Sequence, residues 1–136
     1  TDRTAAFTVL EMTIVLLVTG LAASLVLTRG PMRSATLELR VATETVAATL
    51  REGRTDATTT EHTVIFTALP TGTYGLDAHA RHALPTGITF PTPARIVFYP
   101  DGSTSGGMVV VGSTAGRGVM SVDALTGHVT TRQASP

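Results

Sequence analysis

Residues Ala6–Leu27 read AFTVLEMTIVLLVTGLAASLVL, and Glu11 is the one charged residue in that run. A helix of about 22 residues rises about 33 Å, enough to cross the hydrocarbon core of a bilayer. An ionised carboxylate at such depth costs roughly 2.5–3.5 kcal/mol. No cation within the run offsets that cost, so the partner of Glu11 is expected on another molecule. A secretory signal peptide fits less well. The run is long for one, no small-x-small pattern closes it, and an acid near its start is unhelpful. A plain single-pass anchor accounts for the length but not for Glu11. Arg3 precedes the run while Arg29 and Arg33 follow it, so counting positive charges does not orient it.

Outside this run there is material for one small globular head of roughly 80 residues. Lys+Arg 10 and Asp+Glu 10 balance to a formal net charge of zero, which gives no general attraction to nucleic acid or anionic lipid. Every basic residue other than histidine is Arg. Cysteine is absent, which excludes a disulfide framework and thiol chemistry, so the head must hold together by core packing. Asn is absent too, which excludes N-glycosylation acceptors.

Gly30-Pro31 predicts a kink, because Pro lacks the N–H and clashes with the preceding turn. A helical pattern resumes at once. Leu39, Ala42, Val46, Leu50, Gly53 and Ala57 recur at three- and four-residue spacing, predicting an amphipathic helix from about Met32 to about Ala57. Arg40 and Glu44 stand four apart on another face, where they can pair weakly. From Glu61 onward, short β-branched and aromatic runs alternate with Gly and Pro. Strands are expected at His62–Thr67, Gly87–Phe90, Arg95–Tyr99, Met108–Val111, Gly118–Val122 and His128–Thr131. Met108–Val111 is nearly all apolar and is expected to be central. Asp123–Gly127 carries hairpin-turn residues between the last two strands. The fold class is α+β, a helix packed on an antiparallel sheet or on two small ones.

Phe7-Thr8-Val9-Leu10-Glu11 resembles the processing and assembly motif of type IV pilins and of type II secretion pseudopilins. A second stretch, Phe98-Tyr99-Pro100-Asp101-Gly102-Ser103-Thr104-Ser105-Gly106-Gly107, resembles a signature of the minor pseudopilin H (GspH) and FimT family. So does the hairpin Val122–Val129, although His128 stands where that family usually has Arg. The resemblance implies a pilin-like fold, with a long N-terminal helix whose second half is embedded in the head. It implies a leader at 1–6, a membrane-spanning and filament-core helix at 7–28, an amphipathic continuation at 29–57 and a β-rich periplasmic head at 58–136. A prepilin peptidase would cut between Ala6 and Phe7, at a place where most members have Gly before the cut, and would methylate the amine of Phe7. Glu11 would pair with the N-terminal amine of a neighbouring subunit, relieving the desolvation of both charges.

The implied function is that of a minor pseudopilin, assembled into a short periplasmic filament that helps export folded proteins. Its place would be near the tip, between the major pseudopilin and the tip subunits. The implied partners are these other pseudopilins, the prepilin peptidase, the inner-membrane assembly platform and inner-membrane lipid. The implied location is the bacterial inner membrane, single-pass, with the head in the periplasm. The alternative is a FimT-like minor type IV pilin acting in pilus assembly or DNA uptake, with Arg117 and Arg132, and Arg95 as a third, as DNA contacts. Those cations are few for phosphate binding, so nucleic acid is not a partner in the main reading.

No enzyme, cofactor or metal is expected. Gly102–Gly106 superficially suggests a nucleophile elbow, but Thr104 holds its centre and no helix follows. His79 and His82 stand three apart without further ligands at a telling spacing. Asp101, Ser103 and Ser105 alternate oxygens without an acid to complete a calcium loop. The Pro100-Asp101-Gly102 segment reads as a tight turn, with Asp101, Gly102, Ser103, Ser105, Gly106 and Gly107 as a fold-defining loop.

Overall fold

In the computed structural model, residues 8–28 and 34–134 are described. The leader and cleavage positions Ala6 and Phe7, and the expected kink at Gly30 and Pro31, lie outside them. The chain divides into two compact units, Thr1–Arg33 and Ser34–Pro136.

The first unit contains helix α1 (Val9–Thr28). Its side chains as far as Leu25 are all exposed within the chain, Leu10 and Leu21 by about 70%. Thr13 and Thr19 turn their hydroxyls back to the carbonyls of Val9 and Val15, at 2.8 and 2.7 Å, so neither needs an outside partner. Among the described residues no helix is long and apolar enough to cross a membrane. The apolar run of the sequence, Ala6–Leu27, extends beyond the side chains described. A membrane span at 7–28 therefore rests on the sequence.

The second unit is built on helix α2 (Ala35–Thr60). The predicted stripe of Leu39, Ala42, Val46, Leu50, Gly53 and Ala57 is buried throughout. The helix runs three residues past the predicted end at Ala57. Thr58 and Thr60 bond the carbonyls of Arg54 and Asp56, which keeps the Thr-rich last turn closed. Glu61 ends it in the left-handed conformation, φ 56° and ψ 27°. Arg40 makes no ion pair with Glu44, which instead accepts a hydrogen bond from Thr131 Oγ1 at 3.4 Å.

Two antiparallel sheets pack against α2. The first comprises β1 (Val64–Ala68), β2 (Thr73–Leu76), β3 (His82–Ala83) and β4 (Ala94–Phe98), in the order β3-β2-β1-β4. Phe66 stands opposite both Leu76 and Ile96. Tyr74 sets its ring edge-on to Phe90 at 5.8 Å, and burial pushes its hydroxyl pKa up. The second sheet comprises β5 (Gly107–Ser113), β6 (Gly116–Val122) and β7 (Val129–Ala134), in the order β5-β6-β7.

Two strand expectations need correction. Gly87–Phe90 forms no strand. Only Thr89 is paired, exchanging hydrogen bonds with Gly112, while Ile88 and Phe90 drop into the core. Pro85, Pro91 and Pro93 bracket the segment, and Pro cannot donate to a ladder. The apolar run Met108–Val111 lies in an outer strand of its sheet, not the central one. Its burial is one-sided: Val109 and Val111 face the core, whereas Met108 is 59% exposed. The central strand is β6, whose Gly118 admits α2 so closely that an added Cβ would overlap the Thr43 side chain. A matching approach lies on α2 itself. A Cβ on Gly53 would stand 2.8 Å from Leu76 Cδ2 and 3.1 Å from the Phe98 ring.

Candidate functional site

Thr8 immediately precedes α1, and its Oγ1 accepts the backbone N–H of Glu11 at 3.2 Å. This is the N-terminal half of a capping box, Thr-x-x-Glu, which satisfies one of the four free N–H groups of the first turn. It also sets a carboxylate where the helix dipole favours negative charge. The Thr-x-x-Glu spacing marks this helix start in the sequence, independently of any assembly role for Glu11. Along the described part of α1, Glu11 is the sole charged side chain on an otherwise largely apolar helix. A helix apolar on all sides is stable only when something else surrounds it.

The Asp101–Gly107 loop ties the two sheets together. Tyr99 and Gly102 close a β-turn, with Gly102 N donating to Tyr99 O at 3.0 Å and Gly102 at φ 86°. Asp101 Oδ1 accepts from the Ser103 hydroxyl at 2.5 Å and from its N–H at 2.9 Å, and these two bonds hold the Asp101 carboxyl below its ordinary pKa. Ser105 then bonds Val97 of β4 through both its N–H and its hydroxyl oxygen. Thr104, buried, reaches the other way: its N–H donates to Ala124 O at 2.8 Å and its hydroxyl to Asp123 O at 3.0 Å. The loop is a staple between β4 and the β6–β7 hairpin, with its polar groups largely engaged.

The hairpin is organised by Asp123. Its Oδ1 accepts from the N–H of Thr126 at 2.8 Å, the hydroxyl of Thr126 at 2.9 Å and the N–H of Leu125 at 3.0 Å. Those bonds, led by the Thr126 N–H, hold the Asp123 carboxyl below its ordinary pKa, and the nearby His128 lowers it slightly further. Gly127, at φ 65°, closes the turn so tightly that a Cβ there would meet the Arg54 side chain and the Gly102 carbonyl. A shallow groove of mixed character runs beside it, with Val122 and Ala124 as well as Ser105, Asp123, His128 and Thr130 in its lining.

The structure divides the arginines proposed for DNA. Arg117 and Arg132 are exposed on the second sheet, where Arg132 stands opposite Val119 and Arg117 opposite Ala134. Arg95 lies on β4 in the first sheet. The two histidines considered together for a metal are also separated in role. His82 lies on β3 with its ring 5.6 Å from Tyr74, whereas His79 Nε2 lies 3.6 Å from Asp56 Oδ2 of α2.

The helix α2, with its buried stripe against two antiparallel sheets and a polar staple between them, is the head of a pilin-like α+β fold. The chain is similar to the type IV minor pilin FimU of Pseudomonas aeruginosa, in two crystal forms. In one, identity is 16%, TM-score 0.59, and the match covers 73% of this chain and 92% of FimU. In the other, identity is 16%, TM-score 0.57, and the coverage 72% and 97%. No protein-family model and no curated protein sequence matches the chain.

Proposed function

We propose that this chain is a minor subunit of a pilin-like filament, anchored in the bacterial inner membrane with its head in the periplasm. The observation that carries the reading is α1, apolar on all its described sides, with Glu11 as its single charge, joined in one sequence to a pilin-like head. Such a helix calls for lipid before assembly and for the helices of neighbouring subunits after it. A carboxylate in that setting is stabilised by a neighbour's cation, and the amine freed by cleavage before Phe7 is the cation the motif supplies. The subunit works by assembly, without chemistry of its own.

Within that class we favour a minor pseudopilin of type II secretion, H type, on the Phe98–Gly107 and Val122–Val129 signatures. The pilus reading has its own support, since the similar solved structure is a type IV pilus minor pilin. Mass spectrometry of the membrane-extracted protein tests the first step. A mature N-terminus at methylated Phe7 is expected, and an intact Ala6–Phe7 bond in cells with active prepilin peptidase overturns it. Loss of exoprotein export on deletion supports the secretion role. Loss of piliation or DNA uptake with export intact supports the pilus role.

A further inference from the structure

We propose that Glu52, Asp56 and His79 form a binding site for a divalent transition metal of the zinc type. The ligand atoms of the three lie within 4.8 Å of one another. Glu52 and Asp56 are one helical turn apart and project from the same side of α2. His79 comes from the turn after β2, and the fold delivers it there by two devices. Gly53, between the two acids in sequence, lets Leu76 at the end of β2 press on the helix. The turn then closes through His79 N to Leu76 O at 3.2 Å, while Asp77 is bonded on both sides to Ile65 of β1.

The independent sign of a ligand is Asp56 Oδ2. That oxygen is shielded from solvent, although the Asp56 side chain as a whole is 29% exposed, and it has no hydrogen-bond partner. His79 Nε2, at 3.6 Å, is within ion-pair range of it when protonated but beyond hydrogen-bonding distance. A shielded oxygen without a donor is unfavourable, and an unseen ion is one of its standard explanations. Two carboxylates four apart on a helix also repel, and among the described residues no Arg forms an ion pair with either. A cation among the three groups answers all of these at once. Tetrahedral zinc with ligands at about 2.0–2.1 Å separates its ligand atoms by about 3.3 Å, close to the Asp56–His79 spacing. Imidazole nitrogen with two carboxylates suits zinc better than calcium, which asks for six to eight oxygens. Three protein ligands leave a fourth position for water, and the bound metal would pin the His79 turn to the end of α2. None of this depends on the filament role.

The test is calorimetric titration of the metal-stripped full chain in mild detergent with zinc chloride, with parallel thermal melts. One zinc per chain is expected, with a melting temperature that rises on saturation. Loss of outer-shell partners alone costs about 10–100-fold in metal affinity, so E52Q, D56N and H79Q should each weaken binding at least about tenfold. E52Q alters an exposed side chain, so its folding is not at issue. H82Q should bind as the parent does. Absence of a one-to-one site overturns the proposal. So does binding that survives E52Q and H79Q, or calcium binding as tight as zinc, and in those cases the cluster is a surface ion pair only.

Discussion

Gly118 of β6 lies directly against Thr43 of α2, with no room between them for a single methyl group. Thr43 is almost wholly buried, and its hydroxyl is satisfied by the Leu39 carbonyl at 2.7 Å, so it has no reason to swing away. Gly118→Ala should therefore overpack the interface and destabilise the head by about 1–3 kcal/mol. Adding Thr43→Ala should restore part of that loss. A double-mutant cycle by urea denaturation reads the coupling, and purely additive effects would show that the contact is not the cause.

Glu61 ends α2 in a conformation that glycine adopts without penalty. Glu61→Gly should stabilise the head by about 0.5–1 kcal/mol, seen as a higher melting temperature. A lower one would mean that the Glu61 side chain contributes more than its backbone strain costs.

In the proposed filament role the charge of Glu11 is separable from its place in the Thr8 cap. Glu11→Gln removes the charge and keeps the polar side chain, whereas Thr8→Ala removes the capping oxygen and keeps the charge. Thr8→Ala should cost the helix about 1 kcal/mol and leave filament incorporation largely intact. Glu11→Gln should leave membrane insertion intact and sharply reduce incorporation, measured by co-purification with sheared filaments. Equal incorporation of the Gln variant and the parent would remove charge pairing from the mechanism.

Asp101 and Asp123 both titrate lower in the folded chain than their ordinary value of 3.8. The stability they contribute is complete above that value and is lost as the pH falls through the lowered folded values. Melting temperature should fall as the pH drops below 3.8, and Asp101→Asn with Asp123→Asn should flatten that fall. An unchanged slope in the double variant would assign the acid sensitivity to other carboxylates.

Much of the head is legible residue by residue. The α2 stripe from Leu39 to Ala57 is visible because helical periodicity repeats within a few residues. The Pro100-Asp101-Gly102 and Asp123–Gly127 turns are visible because turn chemistry is equally local. The Thr8–Glu11 cap is legible by the same logic. The weak points are non-local. The short strands β2 and β3 lie in a segment without a strong alternating pattern, and Thr89 finds its single partner 23 residues downstream at Gly112.

By itself the sequence determined an apolar helix carrying one acid, a second helix with one buried side, and the turns that punctuate a β-rich head. These follow from rise per residue, periodicity and backbone preference, all properties of neighbours along the chain. The tertiary structure alone decided that the strands split into two sheets, that β6 and not β5 is central, and that His79 comes to rest beside Asp56. Those outcomes depend on how closely backbones approach at Gly53 and Gly118, a matter of shape between residues far apart in sequence.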